Sequence, residues 1–446
     1  MNIQVTIDNQ SFAKKLAKTS ITCQIDDHLV LTSELNLNVE GLLEKCGRVP
    51  TIFEDFLFLS AVIYTIDKMV RRKFSKDNWT RILDVQISLQ SADTFNRIKN
   101  DLQRLFNFLT GDIWSLEINQ LDGSLINYEG TQWYKLSGSS SSVSLFSGGL
   151  DSLVGCIDWL EDNPQKKLIV VGHHDPNVPG PLGDQTNLLG QLNTIYPERL
   201  IDILIGVGQD PAGKETTFRS RSLLFIALGA YVAKAAQSNT LIIPENGTIA
   251  LNFPLTPSRR GTCSTRTAHP YYLRMLEEII RNIDMGIRII NPYSLKTKGE
   301  VVLNCRNIQA LRILCVHTRS CAKSGHKKTW RNRTANNCGR CMPCIYRRAA
   351  LNRFEMDIET YGNNICTGEV ELDSSKISAD DFRACISFLN NEMSDQVIMD
   401  ILYSNTCLDT NLMDQYVDLV KRTKTEIKEF LRVKARDEIK RRINNL

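Results

Sequence analysis

Val143-Ser-Leu-Phe-Ser147-Gly148-Gly149-Leu150-Asp151-Ser152 joins a short apolar run, a glycine turn and the start of a helical pattern that continues to about Leu160. Such a strand–turn–helix frame suits a phosphate group. Paired glycines let the backbone fold back and present N–H groups, and the helix N-terminus adds its positive dipole. Ser147, Gly148, Gly149, Leu150, Asp151 and Ser152 are therefore candidates for a nucleotide-phosphate loop. The two seryl hydroxyls add donors, and Asp151 could hold a cation or position a leaving pyrophosphate.

Downstream of this stretch, Leu168–Val171, Ile201–Ile205, Leu241–Ile243 and Ile287–Ile290 are further short apolar runs. Helical patterns over Ser222–Ala236 and Tyr271–Ile283 lie among them. Buried runs alternating with helices predict an α/β fold, a doubly wound parallel sheet covered on both faces, whose ligands bind at the carboxyl ends of the strands. Upstream, the small-residue tract from Leu136 to Val143 reads as a linker. It sets off residues 1–136 as an N-terminal α+β domain: Phe53–Lys73 and Phe95–Leu109 are helical, Ile82–Leu89 alternates like a strand, and no catalytic constellation is evident. The core is expected over 143–357. Residues 358–446 read as a C-terminal helical region, with helices at Asp380–Asn390, Asp395–Tyr403 and Asp414–Ile443.

Composition narrows the classes. The 446 residues are 42% hydrophobic, with 54 Lys+Arg against 50 Asp+Glu, which excludes a disordered or collagen-like chain. A net charge of +4 is too small to imply nucleic-acid binding by itself. The most apolar run, Leu223–Ala233, is too short to span a bilayer, and the N-terminus lacks the apolar core of a secretory signal. A reducing cytoplasm is the expected compartment. The odd count of 13 cysteines argues against a fully paired disulfide framework.

Four of those cysteines are patterned. Cys321, Cys338, Cys341 and Cys344 follow C-x16-C-x2-C-x2-C, with Gly339 and Pro343 suited to tight knuckles, so four thiolates can converge on Zn²⁺. Unrelated buried thiols, redox chemistry by Cys341 and Cys344, or an iron–sulfur cluster are the alternatives. The other cysteines read as small core residues. Gly208 to Lys214 imitates the start of a Walker loop, but Glu215 stands where a Mg²⁺-binding hydroxyl is needed, so it is read as a decoy.

Ser-Gly-Gly-Leu-Asp-Ser resembles the signature of the PP-loop ATP pyrophosphatases, which cleave ATP between its α and β phosphates. With the cysteine block following after about 170 residues, the chain resembles the QueC family, the 7-cyano-7-deazaguanine synthases, over roughly residues 143–355. Arg347 matches the arginine trailing the zinc block, Lys298-Gly299-Glu300 a Lys-x-Glu element, and Phe218-Arg-Ser-Arg221-Ser the entry to a helix. Departures are equally clear. In place of the family's substrate stretch stand Pro244-Glu245-Asn246-Gly247, Phe253-Pro-Leu-Thr-Pro-Ser-Arg259-Arg260 and Ser264-Thr-Arg266-Thr-Ala-His269-Pro270. The interval between the first two zinc cysteines is long and carries Lys323, Lys327, Lys328, Arg331 and Arg333. In these respects the chain resembles the QueC-like proteins of anti-phage defence operons, such as the QatC component of the Qat system.

The resemblance implies a ligase using ATP, Mg²⁺ and Zn²⁺. A deazapurine carboxylate such as 7-carboxy-7-deazaguanine would attack the α-phosphorus, with Asp151, Ser152, Arg221 and Lys298 catalytic and the loop holding pyrophosphate. An amine would then displace AMP; ammonia or the N-terminus of a protein partner from the same operon could serve. Glu245, Asn246, Arg266 and His269 are candidate substrate contacts, although His269 before Pro270 also suits a helix start. A PP-loop tRNA-modifying enzyme, using the basic loop, and a non-catalytic nucleotide-binding scaffold are the competing expectations.

Overall fold

The computed structural model describes residues 1–136, 142–217, 219–259, 266–373, 377–405 and 408–444. Ser137–Ser141 of the expected linker, Phe218, Arg260, Cys263, Ser264, Thr265 and Cys407 fall outside that set. The N-terminal region supplies strands β1 (Asn2–Ala13), β2 (Leu16–Gln24), β3 (Val30–Leu37), β4 (Ile82–Leu89) and β5 (Ile113–Gln120). Its helices are α1 (Val39–Cys46), α2 (Thr51–Met69), α3 (Ala92–Arg97) and α4 (Lys99–Thr110). Next come β6 (Ser142–Leu145), α5 (Leu150–Asp162), β7 (Leu168–His174), α6 (Pro181–Ile195), β8 (Leu200–Asp210), α7 (Arg221–Ala235), β9 (Thr240–Ile242), α8 (Gly247–Leu251), α9 (Pro270–Asn282) and β10 (Arg288–Ile290). Helices α10 (Lys298–Leu303), α11 (Ile308–Leu314), α12 (Met342–Asn352), α13 (Asp380–Asn390), α14 (Asp395–Asn405), α15 (Met413–Lys434) and α16 (Asp437–Lys440) complete the chain.

The strands form one sheet in the order β10-β9-β6-β7-β8-β3-β2-β1-β4-β5. β10, β9, β6, β7 and β8 pair in parallel, as do β1, β4 and β5. The sheet is mostly parallel, not wholly so: β8–β3, β3–β2 and β2–β1 are antiparallel. The departure comes from the first 37 residues, which form β1, β2 and β3 in addition to the elements expected of the N-terminal region. Ile3 and Val5 face inward while Asn2, Gln4 and Thr6 face solvent, the pattern of a sheet covered on one side. Leu37 lies opposite Val207, and Asn38 N donates to Gly206 O at 3.0 Å, which registers β3 against β8, so the sheet continues across the Ser-rich tract.

The middle strands are buried on both faces. Along β7, Ile169 and Val171 join the cluster containing α2, α7 and α9, while Leu168 and Val170 join the one containing α5, α6, α10 and α11. Successive side chains of a strand point to opposite faces, so a continuous apolar run requires cover on each. Each fully buried aliphatic or phenyl side chain contributes about 1.5–3 kcal/mol. Helix α2 is buried almost throughout and carries Asp55, Asp67 and Lys68 inside. Those charges need partners: Asp67 pairs with Arg81, Lys68 with Asp175, and Asp55 accepts from the amides of Gln90 and Ser91.

The Asp414–Ile443 pattern is not one helix. α15 stops at Ala435, whose backbone is extended (φ −79°, ψ 147°), and α16 restarts at Asp437. Among the described residues, no helix is long and apolar enough to cross a membrane.

Candidate functional site

β6 lies between β9 and β7, with all three parallel, so the loop after it opens at their shared carboxyl end. Gly148 has φ +80°, a conformation that costs an L-residue about 1–2 kcal/mol, and its carbonyl turns to accept from the Arg319 amide at 2.9 Å. Gly149 caps α5. The first amides of a helix lack intrahelical acceptors, so those of Leu150, Asp151 and Ser152 are the donors a phosphate would use. The Leu150 side chain itself is buried in the core. Gly149 N donates to Ser147 Oγ at 3.3 Å, and Ser152 Oγ donates to Gly149 O at 2.9 Å. Ser147 is exposed.

Asp151 sits in the first turn of α5, where a carboxylate is favoured by the dipole. Three further residues from distant segments meet it. Lys298 Nζ donates to both of its carboxylate oxygens at 2.8 Å, and Asn246 Nδ2 donates to Oδ2 at 2.7 Å. Glu245, partly exposed, accepts from the same Asn246 amide at 3.2 Å and hydrogen-bonds the Asp151 carboxyl. Burial opposes ionisation of Asp151, yet the Lys298 charge and these hydrogen bonds outweigh it and hold the carboxyl below its usual range. Glu245 goes the other way: loss of hydration, then the Asp151 charge, raise it well above its usual range. The two neighbouring carboxyl groups are thus pushed in opposite directions, an arrangement frequent in functional clefts.

Local sequence explains these placements. Asn246 caps α8, its Oδ1 accepting from Ile249 N, and the rest of its amide is left for Asp151. Lys298 begins α10 behind a Thr297–Glu300 capping box. The C-terminal helix α15 braces both segments: Thr423 bonds Thr248 at 2.7 Å, Arg422 pairs with Glu300, and Glu426 receives hydrogen bonds from Thr297 and Gly299. The sequence does not show this bracing, since nothing local to α15 signals a partner 122 residues away.

Arg221, the first residue of α7, bonds His173 at the end of β7 (Nε to Nδ1, 3.3 Å), one strand away from the loop. Ser220 fixes that helix start by donating through N and Oγ to Asp67 of α2 at 3.0 and 2.7 Å. Asp67 in turn pairs with Arg81, which pairs with Asp112, which pairs with Arg72, all buried. Lys68, also on α2, forms a buried ion pair with Asp175 just after β7. The N-terminal region therefore helps to build this end of the sheet. The paired charges along α2 were the available signal, masked by its apolar periodicity.

Arg266 and His269 lie elsewhere, against Phe108 of α4. Arg266 covers the Phe108 ring at 4.2 Å and bonds its carbonyl; His269 packs edge-on to it at 5.3 Å. His269 Nδ1 caps α9 by accepting from Tyr271 N at 3.2 Å, and burial, then Arg266, depress the imidazole to about 3. Its Nδ1 is used in the helix start. Gly208 of the Walker-like stretch belongs to β8, paired with Asn36, and Glu215 accepts from the amides of Arg72, Thr216 and Thr217.

Cys321, Cys338, Cys341 and Cys344 come together, their sulfurs all within 4.8 Å of one another. Gly339, at φ +76°, makes the knuckle turn between Cys338 and Cys341. A tetrahedral ion with Zn–S bonds of about 2.3 Å places sulfurs about 3.8 Å apart, and Cys338 and Cys344 are separated by 3.8 Å. Amides of Lys323 and Cys338 point at the Cys321 sulfur (3.3 Å each), and those of Arg340 and Cys341 at the Cys338 sulfur (3.4 and 3.3 Å). Trp330 and Ala335 cover the group. This donor set could hold a metal such as zinc. The basic residues Lys327, Lys328, Arg331 and Arg333 of the intervening loop are exposed, while Lys323 pairs with Asp381.

No protein-family model matches the sequence, and no curated protein matches it.

Proposed function

We propose that this chain is a PP-loop-type ligase of the QueC-like kind, which activates a carboxylate by adenylation and passes the acyl group to an amine. The observation that carries this proposal is the meeting of Asp151, Asn246, Glu245 and Lys298 beside a glycine turn that opens helix α5. A deazapurine carboxylate oxygen would attack the α-phosphorus of ATP as the bond to the β-phosphate oxygen breaks. Ser147, the Gly148–Ser152 backbone and Ser152 would take the leaving pyrophosphate, and Lys298 would offset its charge. Asp151, and Glu245 on losing its proton, would supply carboxylate oxygens to a Mg²⁺ ion, whose charge would neutralise the phosphates. An amine would then attack the acyl carbon and release AMP.

The test is ATP, Mg²⁺ and 7-carboxy-7-deazaguanine with wild-type protein and its operon partner, followed by intact-mass measurement of that partner. Pyrophosphate release with a mass gain on the partner, both lost in Asp151→Ala, supports conjugation. Release without a mass gain supports free amide or nitrile synthesis, and no release rejects the adenylation chemistry. The exposed Lys327, Lys328, Arg331 and Arg333 favour a second reading, a tRNA-modifying enzyme. That reading requires RNA binding that weakens steeply with salt.

A further inference from the structure

The tetracysteine group and the phosphate loop come from separate parts of the sequence, yet one short segment touches both. Residues 315–321 end in the ligand Cys321. On that side the segment is fixed by the Cys338 amide on the Cys321 sulfur (3.3 Å) and by Asn337, whose Oδ1 accepts from Ser320 N at 3.2 Å. Arg347 adds bonds to Thr318 Oγ1 at 2.5 Å and to Cys315 O at 2.7 Å. On the other side, Arg319 N donates to Gly148 O at 2.9 Å, and a Cβ placed on Gly149 would lie 3.4 Å from Arg319 O. The Arg319 side chain reaches Asp184 of α6 at 3.2 Å. The neighbouring Gln185 lies under Gly148 and donates to Phe146 O at 3.2 Å. Arg319 Nη1 is buried with no hydrogen-bond partner among the described residues.

We infer that the metal centre is the anchor of the phosphate loop, and that Arg319 is the positioning residue linking them. Gly148 holds a left-handed backbone, with Gln185 beneath it. The Arg319 amide pins its carbonyl, and Arg319 is pinned by a ligand two residues on. Losing the metal removes the constraint on Cys321, loosens residues 315–321 and frees the loop. The inference rests on the proposed function only in taking the loop as an anion site; the mechanical link stands apart from it.

Hydrogen exchange of the full chain reads this link directly. Metal-stripped, reduced wild-type protein should exchange the amides of residues 147–153 about tenfold faster, with the distant β4 unchanged. Its affinity for inorganic pyrophosphate should fall about tenfold. Arg319→Pro deletes the amide donor, and the preceding Thr318 already has the extended backbone that proline requires (φ −82°, ψ 150°). Arg319→Ala keeps the donor and loses only the side chain. Both should retain one metal ion per chain, with loop exchange accelerated in the proline variant well beyond the alanine one. Unchanged loop protection after metal removal, while residues 320–345 lose theirs, overturns the inference. So does equal loop exchange in the two metal-loaded variants. Wild-type protein that binds no pyrophosphate overturns the proposed function instead, and the exchange result still decides the link.

Discussion

Lys298→Met isolates the electrostatics of the candidate site. Lys298 and Asp151 are 3% and 6% exposed, and the ammonium contacts both carboxylate oxygens at 2.8 Å. Methionine keeps the length of the stem and removes the charge. Asp151 would then be a buried carboxylate without its cation, with Asn246 and Glu245 as its remaining side-chain hydrogen-bond partners. Breaking a buried pair from one side costs about 3–5 kcal/mol. With an unfolding entropy of about 2.1 cal/mol/K per residue, 446 residues give roughly 0.9 kcal/mol/K. The expected fall in Tm is therefore about 3–5 °C if the chain unfolds as one unit. The sign of the pH dependence follows from Asp151, whose carboxyl is held low in the native protein. Its stabilisation is present above the unfolded carboxylate value and lost as pH falls through the folded one. In Lys298→Met that carboxyl rises, so the deficit is largest near pH 8 and shrinks near pH 5, where protonation relieves the unpaired charge. Scanning calorimetry of wild type, Lys298→Met, Asp151→Asn and the double variant at both pH values gives the coupling. A double variant more stable than Lys298→Met, with a coupling of about 2 kcal/mol or more, is expected. A Tm loss under 1 °C, or one identical at the two pH values, would refute the reasoning.

Glu426 is buried, and desolvation, against bonds from Thr297 and Gly299, raises it from 4.5 to about 7. Its raised value makes stability fall as pH rises through that window, by up to about 3 kcal/mol, and Glu426→Gln should flatten that slope in denaturation measured at pH 4.5, 6 and 8. Asparagine is a good helix cap, so His269→Asn should leave Tm within about 1 °C and pyrophosphate release within about twofold; a complete loss of release would return His269 to the substrate site. Asp67→Ala removes one of the two carboxylates on the buried Arg81 and unfastens Ser220, and should cost about 3 kcal/mol in urea denaturation.

The loop and the cysteine block were legible because their chemistry is local: a few residues at fixed spacing declare a turn and four converging sulfurs. Glu245, Asn246 and Lys298 could be marked one at a time, but their meeting at Asp151 depends on where β9 falls in the sheet and where α10 packs against α5. Arg266 and His269 looked alike to them in sequence and are used instead against Phe108, because α9 packs on α4 and needs a cap. Long-range pairing hid the rest. β3 joins β8 across some 170 residues, and the pairs from α2 to Ser220 and from α15 to α10 are visible only once distant elements dock.

Phosphorus NMR of ATP turnover by the wild-type protein, with Mg²⁺, 7-carboxy-7-deazaguanine and an amine donor, bears most directly on the proposed chemistry. AMP and pyrophosphate in equal amounts, absent with Asp151→Ala, is the predicted result. ADP with inorganic phosphate, or intact ATP with wild type, would contradict it.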